Sequence, residues 1–145
     1  MSAVIDSHHD DHHHGPAKGI SRWLYTTNHK DIGSMYLWFS LIMLFIGGAM
    51  AMVIRAELFE PGSQIVSPEF YNQMVTNHGL IMVFGVIMPA FVGFANWMIP
   101  MQIGAPDMAL PRLNNLSFWI LPVAFGILLS TFFMEGGAPN FGWTF

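Results

Sequence analysis

The chain has 145 residues, of which 53% are hydrophobic and only 10% charged, with a formal net charge of −4 and a mean hydropathy of +0.46. A soluble domain carries about 25% charged residues because its surface faces water, so much of this chain has lipid as its solvent. Five scattered Lys and Arg offer no basic stripe for nucleic acid, and the lack of cysteine excludes disulfides, thiolate metal sites, Cys nucleophiles and haem attached through Cys-x-x-Cys-His.

Residues 1–20, MSAVIDSHHDDHHHGPAKGI, read as a polar, His-rich tail on the cytoplasmic side. They lack the basic start, apolar stretch and small-residue cleavage site of a signal peptide. His8, His9, His12, His13 and His14 suit a solvated tail that binds metal adventitiously better than a dedicated site. Residues 21–33 form an amphipathic interfacial segment, with Trp23 and Tyr25 suited to headgroups and Arg22 and Lys30 to water. From Ser34 to Ile54 there are 21 residues without a charge, about 31 Å of helix and the thickness of a bilayer core.

Residues 56–76 form a polar connector, with Pro61-Gly62 as a turn signal and Ser67-Pro68-Glu69 as a helix start. A second uncharged span runs from Gly79 to Gly104, with Pro89 and Pro100 expected to kink it. The segment 103–115 is a polar return in which Asn114 or Asn115 can cap the next helix. The third span is Leu116 to Met134, followed by a Gly-rich loop within 34–145. The expected fold class is thus all-α, a polytopic transmembrane helix bundle. Lys18, Arg22, Lys30 and Arg112 lie on one side and only Arg55 on the other, so the amino terminus is expected in the cytoplasm. Gly47 and Ala51, and then Gly85 and Gly93, line faces where helices can approach closely. Three spans ending on an aromatic loop residue read as part of a longer chain.

His78 stands at the start of the second span and is the ionisable residue nearest that apolar run. A titratable side chain at membrane depth points to function; an interfacial histidine hydrogen-bonded to a neighbouring helix fits as well. Gly85 lies about 20° from His78 in helical projection. It either leaves a slot where a macrocycle could stand beside the ring or serves plain helix packing. Arg55 either snorkels into headgroups or points inward to a cofactor. Glu57, Glu60 and Gln64 bracket the Pro61-Gly62 turn with hard oxygen ligands of the kind Ca²⁺ takes, or are solvated loop residues. Asn96, Asp107, Asn114 and Asn115 gather amides near one acid, which suits either proton uptake through ordered water or a capped interfacial loop.

Four motifs in order, TTNHKDIG (26–33), IRAEL (54–58), HGLIMVF (78–84) and IGAPDMALPRLNNLSFW (103–119), together with GWTF (142–145), closely resemble subunit I of the haem–copper oxidases, in the cytochrome c oxidase branch. The resemblance covers nearly everything after residue 20. It implies a bundle of twelve helices, of which these are the first three. It also implies a multi-pass protein of the bacterial inner membrane that works with other oxidase subunits, with cytochrome c as electron donor.

By that resemblance His78 matches an axial ligand of the low-spin haem a, and Arg55 the arginine that hydrogen-bonds the haem a formyl group. Asp107 matches the entrance of a proton pathway, with Asn96 and Asn114 lining it. Trp143 matches a tryptophan near the propionates of the oxygen-binding haem. Glu57, Gly62 and Gln64 match a Ca²⁺ or Na⁺ site. The ligands of the oxygen-binding haem and of copper are not in this chain. One departure stands out: PAFVGFAN (89–96) is one residue shorter than the commonest pattern, and a deletion rotates a helix by about 100° unless a kink absorbs it. A ubiquinol oxidase of the same superfamily is the alternative reading. A haem-free channel or assembly module is the alternative of another class.

Overall fold

The structure, a computed structural model, describes residues 19–142. The His-rich cluster and Trp143 lie outside the described residues. Asn28 opens the first long helix: its side-chain oxygen accepts the Lys30 N–H at 2.8 Å, satisfying one of the orphan donors of a helix start. From there α2 runs unbroken over His29–Glu57, with Asp31 in its first turn and Arg55 in its last, signs that complement the helix dipole. Ahead of it, the short α1 (Ile20–Tyr25) is tied to α2 by Arg22, whose guanidinium pairs with the Asp31 carboxylate at 3.0 Å. The amphipathic stretch 21–33 is therefore two pieces: α1, and the first turn of α2.

Ser67 caps the second rod by accepting the Phe70 N–H at 3.3 Å, with Pro68 following as a first helical residue that has no N–H to satisfy. The rod comprises α3 (Pro68–Leu80), a π-helical stretch (Ile81–Ile87) and α4 (Met88–Ile103). The wide turn lies directly upstream of Pro89, which has no N–H to return to the carbonyl one turn back. Met88 N–H instead bonds the Val83 carbonyl, five residues back. Ser40 of α2 donates to the Val86 carbonyl at 2.9 Å, so a hydroxyl from the neighbouring helix serves the irregular backbone. The irregularity thus sits at 81–87, before the first proline. Gly104, left-handed at φ 70, ends α4, and Ala105 N–H closes it on the Pro100 carbonyl at 2.9 Å.

The third rod corrects one expectation. Neither Asn114 nor Asn115 caps it; α5 spans Pro111–Ser130 with Pro111 at its first turn, and a 3-10 turn (Thr131–Phe133) ends it. Proline presets the helical φ three residues earlier, which frees both asparagine amides for tertiary bonds. Three helices are long and apolar enough to cross a membrane: His29–Glu57, Pro68–Ile103 and Pro111–Phe133. Among the described residues there is no strand.

Packing centres on α2. It lies against α3, the π stretch and α4 along the whole second rod, while α5 contacts α2 and the π stretch. Ile32, Met35, Tyr36, Phe39, Met43 and Met50 supply one buried stripe at helical spacing, closed by Met74, Ile81, Phe118 and Phe125. Phe39 meets Phe125 edge-on at 5.6 Å and Tyr36 meets Phe118 at 5.2 Å, the geometry that ring quadrupoles favour. Backbones approach closely where Gly33 faces Gly93: a Cβ on Gly33 would lie 2.9 Å from the Gly93 carbonyl oxygen. Outward faces stay apolar, with Trp38, Phe45 and Phe91 at 65%, 72% and 70% exposure. Lipid or further helices suit such faces; water does not.

Candidate functional site

Two polar clusters sit at opposite ends of the rods. At one end, the turn after Gly104 carries Asp107 back against the start of α2. Asp107 Oδ1 accepts the Met108 N–H at 2.7 Å and the His29 N–H at 3.3 Å, and lies 3.2 Å from His29 Nδ1. The Asp107 side chain is 38% exposed and the His29 side chain 8%, so the carboxylate reaches water while the imidazole is enclosed. The backbone N–H groups at the head of a long helix favour a carboxylate there.

One turn along α2 from His29, Gly33 packs against Asn96, whose Cβ lies 3.3 Å from where a Gly33 Cβ would stand. Asn96 is buried; its Oδ1 accepts from Asn114 Nδ2 at 2.6 Å and its own Nδ2 donates to the Val92 carbonyl at 2.9 Å. Asp107, Asn96 and Asn114 therefore share one end of the bundle, and the amide of Asn96 points at the neighbouring rod despite the shorter 89–96 stretch. Asn115 does not join them, because its Nδ2 donates to the Leu24 carbonyl at 2.8 Å. Sequence reasoning passed over His29, although its place at the first turn of α2 within TTNHKDIG was a usable signal.

At the other end, His78 lies on α3, half-buried, with Nδ1 2.9 Å from the Gly47 carbonyl oxygen of α2. A carbonyl only accepts, so Nδ1 carries a proton, and in the neutral ring Nε2 keeps its lone pair. Both readings of this residue meet here: the ring is bonded to a neighbouring helix, and the bond leaves it in the tautomer of a metal ligand whose other nitrogen is held by a backbone carbonyl. Gly47 is buried, and a Cβ there would come within 2.8 Å of Met82 Sδ and 3.1 Å of Ile81, so the bare backbone is what lets the helices close on this contact. The neighbouring Gly48 and Gly79 have nothing within 4 Å of their Cβ positions. The donor chemistry of the ring fits a haem iron on Nε2.

Of the two readings of Gly85, the structure favours packing, because the space beside it is filled. Its Cβ position lies 3.1 Å from the Phe125 ring and 3.3 Å from Met43, so Gly85 serves helix packing. Arg55, exposed near the end of α2, makes no hydrogen bond or ion pair among the described residues. Downstream of α5 the loop returns to α3: Asn77 Nδ2 donates to the Pro139 carbonyl at 3.3 Å, and the Gly142 N–H donates to Thr76 Oγ1 at 3.1 Å. The chain just before Trp143 is thus pinned two residues from His78.

Glu57, Gly62 and Gln64 share one turn. Glu57 is 5% exposed, and its carboxylate accepts the N–H groups of Gln64, Ile65 and Val66 at 2.8, 2.9 and 3.0 Å. Gly62 bends the chain at φ 106, and Gln64 Nε2 donates to the Pro61 carbonyl at 3.2 Å. Three backbone donors occupy most of the carboxylate's lone pairs. Among the described residues no group of three or more His, Cys, Asp or Glu could hold a metal ion.

Comparison with known proteins agrees with the motifs. Residues 31–145 match the family described as Cytochrome C and Quinol oxidase polypeptide I. The chain is 48% identical over 132 residues to cytochrome c oxidase subunit 1 of Corynebacterium diphtheriae, covering 90% of this chain and 23% of that protein. It is 50% identical over 129 residues to cytochrome c oxidase subunit 1 of Corynebacterium efficiens, covering 88% and 22%. With a haem–copper oxidase subunit I+III of Aeropyrum pernix it shares 46% identity over 125 residues, covering 86% and 15%. The chain thus spans less than a quarter of the length of these relatives. With three membrane-length helices and 115 matched residues (31 through 145), this chain belongs to the cytochrome c and quinol oxidase polypeptide I family.

Proposed function

We propose that this chain forms the amino-terminal part of a proton-pumping terminal oxidase subunit, supplying one axial ligand of haem a and a proton entrance. The complete enzyme would pass electrons from cytochrome c to O₂. The names of the relatives favour that donor over a quinol. Copper and an oxygen-binding haem would belong to parts of the subunit beyond this chain, and other oxidase subunits would pack on the apolar outer faces. The amino terminus would lie in the cytoplasm of a bacterium, with the 58–67 turn on the outer side of the inner membrane.

The observation that carries this reading is the His78 ring, bonded through Nδ1 to Gly47 and with no hydrogen bond to Nε2 among the described residues. Haem a, when bound, would accept and release single electrons. The chain's own residues orient and tune it. The Gly47 carbonyl fixes the imidazole plane and raises the basicity of Nε2 by drawing on the Nδ1 proton. Arg55 offers its fork of donors to the formyl oxygen, which would withdraw electron density from the ring system. Trp143 would stand near the propionates of the oxygen-binding haem, at the end of the loop that Thr76 and Asn77 hold.

At the opposite end Asp107 would load protons from water, and the Asn96–Asn114 pair would line the way inward. Amides donate and accept without titrating, so they can orient a water chain while holding no proton themselves. At the outer turn, Glu57 folds the loop through backbone N–H groups. Ca²⁺ could share its free lone pair together with the Gln64 amide oxygen and the Gly62 carbonyl.

Replacing His78 by alanine in the complete subunit should abolish the low-spin haem a absorption spectrum; a normal spectrum would eliminate the ligand assignment. Turnover with cytochrome c and not with ubiquinol should identify the donor, and the reverse preference would assign the chain to the quinol branch.

A further inference from the structure

Asp107 Oδ1 is crowded. Three N–H groups converge on it, two of them from His29 in the tautomer that donates from Nδ1. No hydrogen bond from a described residue reaches Oδ2. The ring that holds the carboxylate is buried, and its far nitrogen, Nε2, has no hydrogen-bond partner among the described residues. With Nδ1–H given to the carboxylate, Nε2 accepts a hydrogen bond in the neutral ring and donates one in the protonated ring. A buried polar atom of this kind is ordinarily satisfied by a water molecule.

The neighbouring charges are engaged elsewhere. Asp31 is taken by Arg22 and by the Thr26 hydroxyl, and the Lys30 ammonium lies 5.7 Å over the Trp97 ring. His29 also occupies a particular level in the bundle. Gly33, one turn and about 6 Å further along α2, is the residue that touches Asn96. The imidazole therefore stands between the water-exposed carboxylate and the level of the buried amide pair.

We propose that His29 is a positioning residue of the proton entrance: it holds Asp107 by Oδ1, leaves Oδ2 to exchange protons with water, and anchors through Nε2 the first buried water on the inward side. This deepens the entrance reading and rests on it. The proton itself moves at Asp107 Oδ2; His29 orients the acceptor and the outgoing water.

The test uses the complete oxidase, with proton uptake followed by a pH-indicator dye after oxygen is added to the reduced enzyme. His29→Leu should slow uptake about fivefold, the rate equivalent of one lost hydrogen bond, while the low-spin haem spectrum stays intact. His29→Gln, whose amide can still donate to Asp107, should recover part of the rate. The infrared carboxyl band of protonated Asp107 should shift in His29→Leu. In the Asp107→Asn background, His29→Leu should add no further slowing, because the two residues act as one unit. Wild-type uptake in His29→Leu, or slowing that is fully additive with Asp107→Asn, overturns the positioning role. Unchanged uptake in Asp107→Asn itself removes the entrance reading, and His29 with it.

Discussion

At the Asp107 end, side chains from α2, the 105–110 turn, α4 and α5 bond one another: the carboxylate oxygen takes three N–H groups and the two asparagines close on each other at 2.6 Å. At the His78 end the described chain leaves groups unanswered, with Nε2 of the ring and the guanidinium of Arg55 finding no partner. The difference is one of completeness. On the proposed reading, a proton entrance needs water on one side and a pre-ordered polar wall on the other, which three helices would suffice to build. An axial haem site would need a second face, of which a single helix would contribute half. Both ends depend on glycine, for the same reason: Gly33 and Gly47 remove the Cβ that would hold the helices apart.

The comparison can be broken from either side. The largest effect is expected at the His78 end, where His78→Ala removes the nitrogen proposed to bind the haem iron and the low-spin haem signal should vanish. Retention of that signal would mean the His78 end is structural. Next, Asp107→Asn should slow proton uptake by roughly tenfold, or about 1.4 kcal/mol of barrier, with haem content unchanged; uptake at the normal rate would strip the self-contained end of its function.

Gly33→Ala sharpens the contrast by probing packing without touching either set of donors. The added methyl would meet Trp97 Cδ1 at 2.6 Å and the Gly93 oxygen at 2.9 Å. The indole can turn but the backbone carbonyl cannot, so a loss of about 1–3 kcal/mol is expected, measurable as a lower unfolding midpoint in detergent. An unchanged midpoint would show that the rods can slide apart at no cost. Arg55→Met should move the haem a absorption to the blue by removing the formyl contact, leaving the Asp107 end unaffected; an unmoved band would release Arg55 from the cofactor. Smallest of all, Glu57→Gln should speed hydrogen exchange at the Gln64, Ile65 and Val66 amides, because a neutral amide offers one acceptor oxygen where the carboxylate offers two. Unaltered exchange would mean that the turn holds itself.

The three spans were legible because bilayer thickness imposes a length, and uncharged runs such as 34–54 meet it. So was the start at Ser67-Pro68, since capping is a local transaction between neighbours in sequence. The asparagine cap misled for a related reason. Asn114 and Asn115 have the chemistry of caps, but Pro111 starts the helix before them, and their amides are drawn to Asn96 and Leu24, residues far off in sequence. Gly85 stayed open between a slot and plain packing because a bare face on one helix does not reveal which neighbour covers it, and Phe125 does so from a different rod.

By itself the sequence determined the helical class, the number of spans and which residues carry reactive groups, because local hydropathy and side-chain chemistry are properties of single residues and short runs. Only the tertiary structure decided which carbonyl meets His78 Nδ1 and that His29, 78 positions away, grips Asp107. Those facts depend on how antiparallel rods are aligned and rotated against each other. That alignment is set by glycine contacts, a π turn and buried rings spread over the whole chain, and no stretch of sequence contains it.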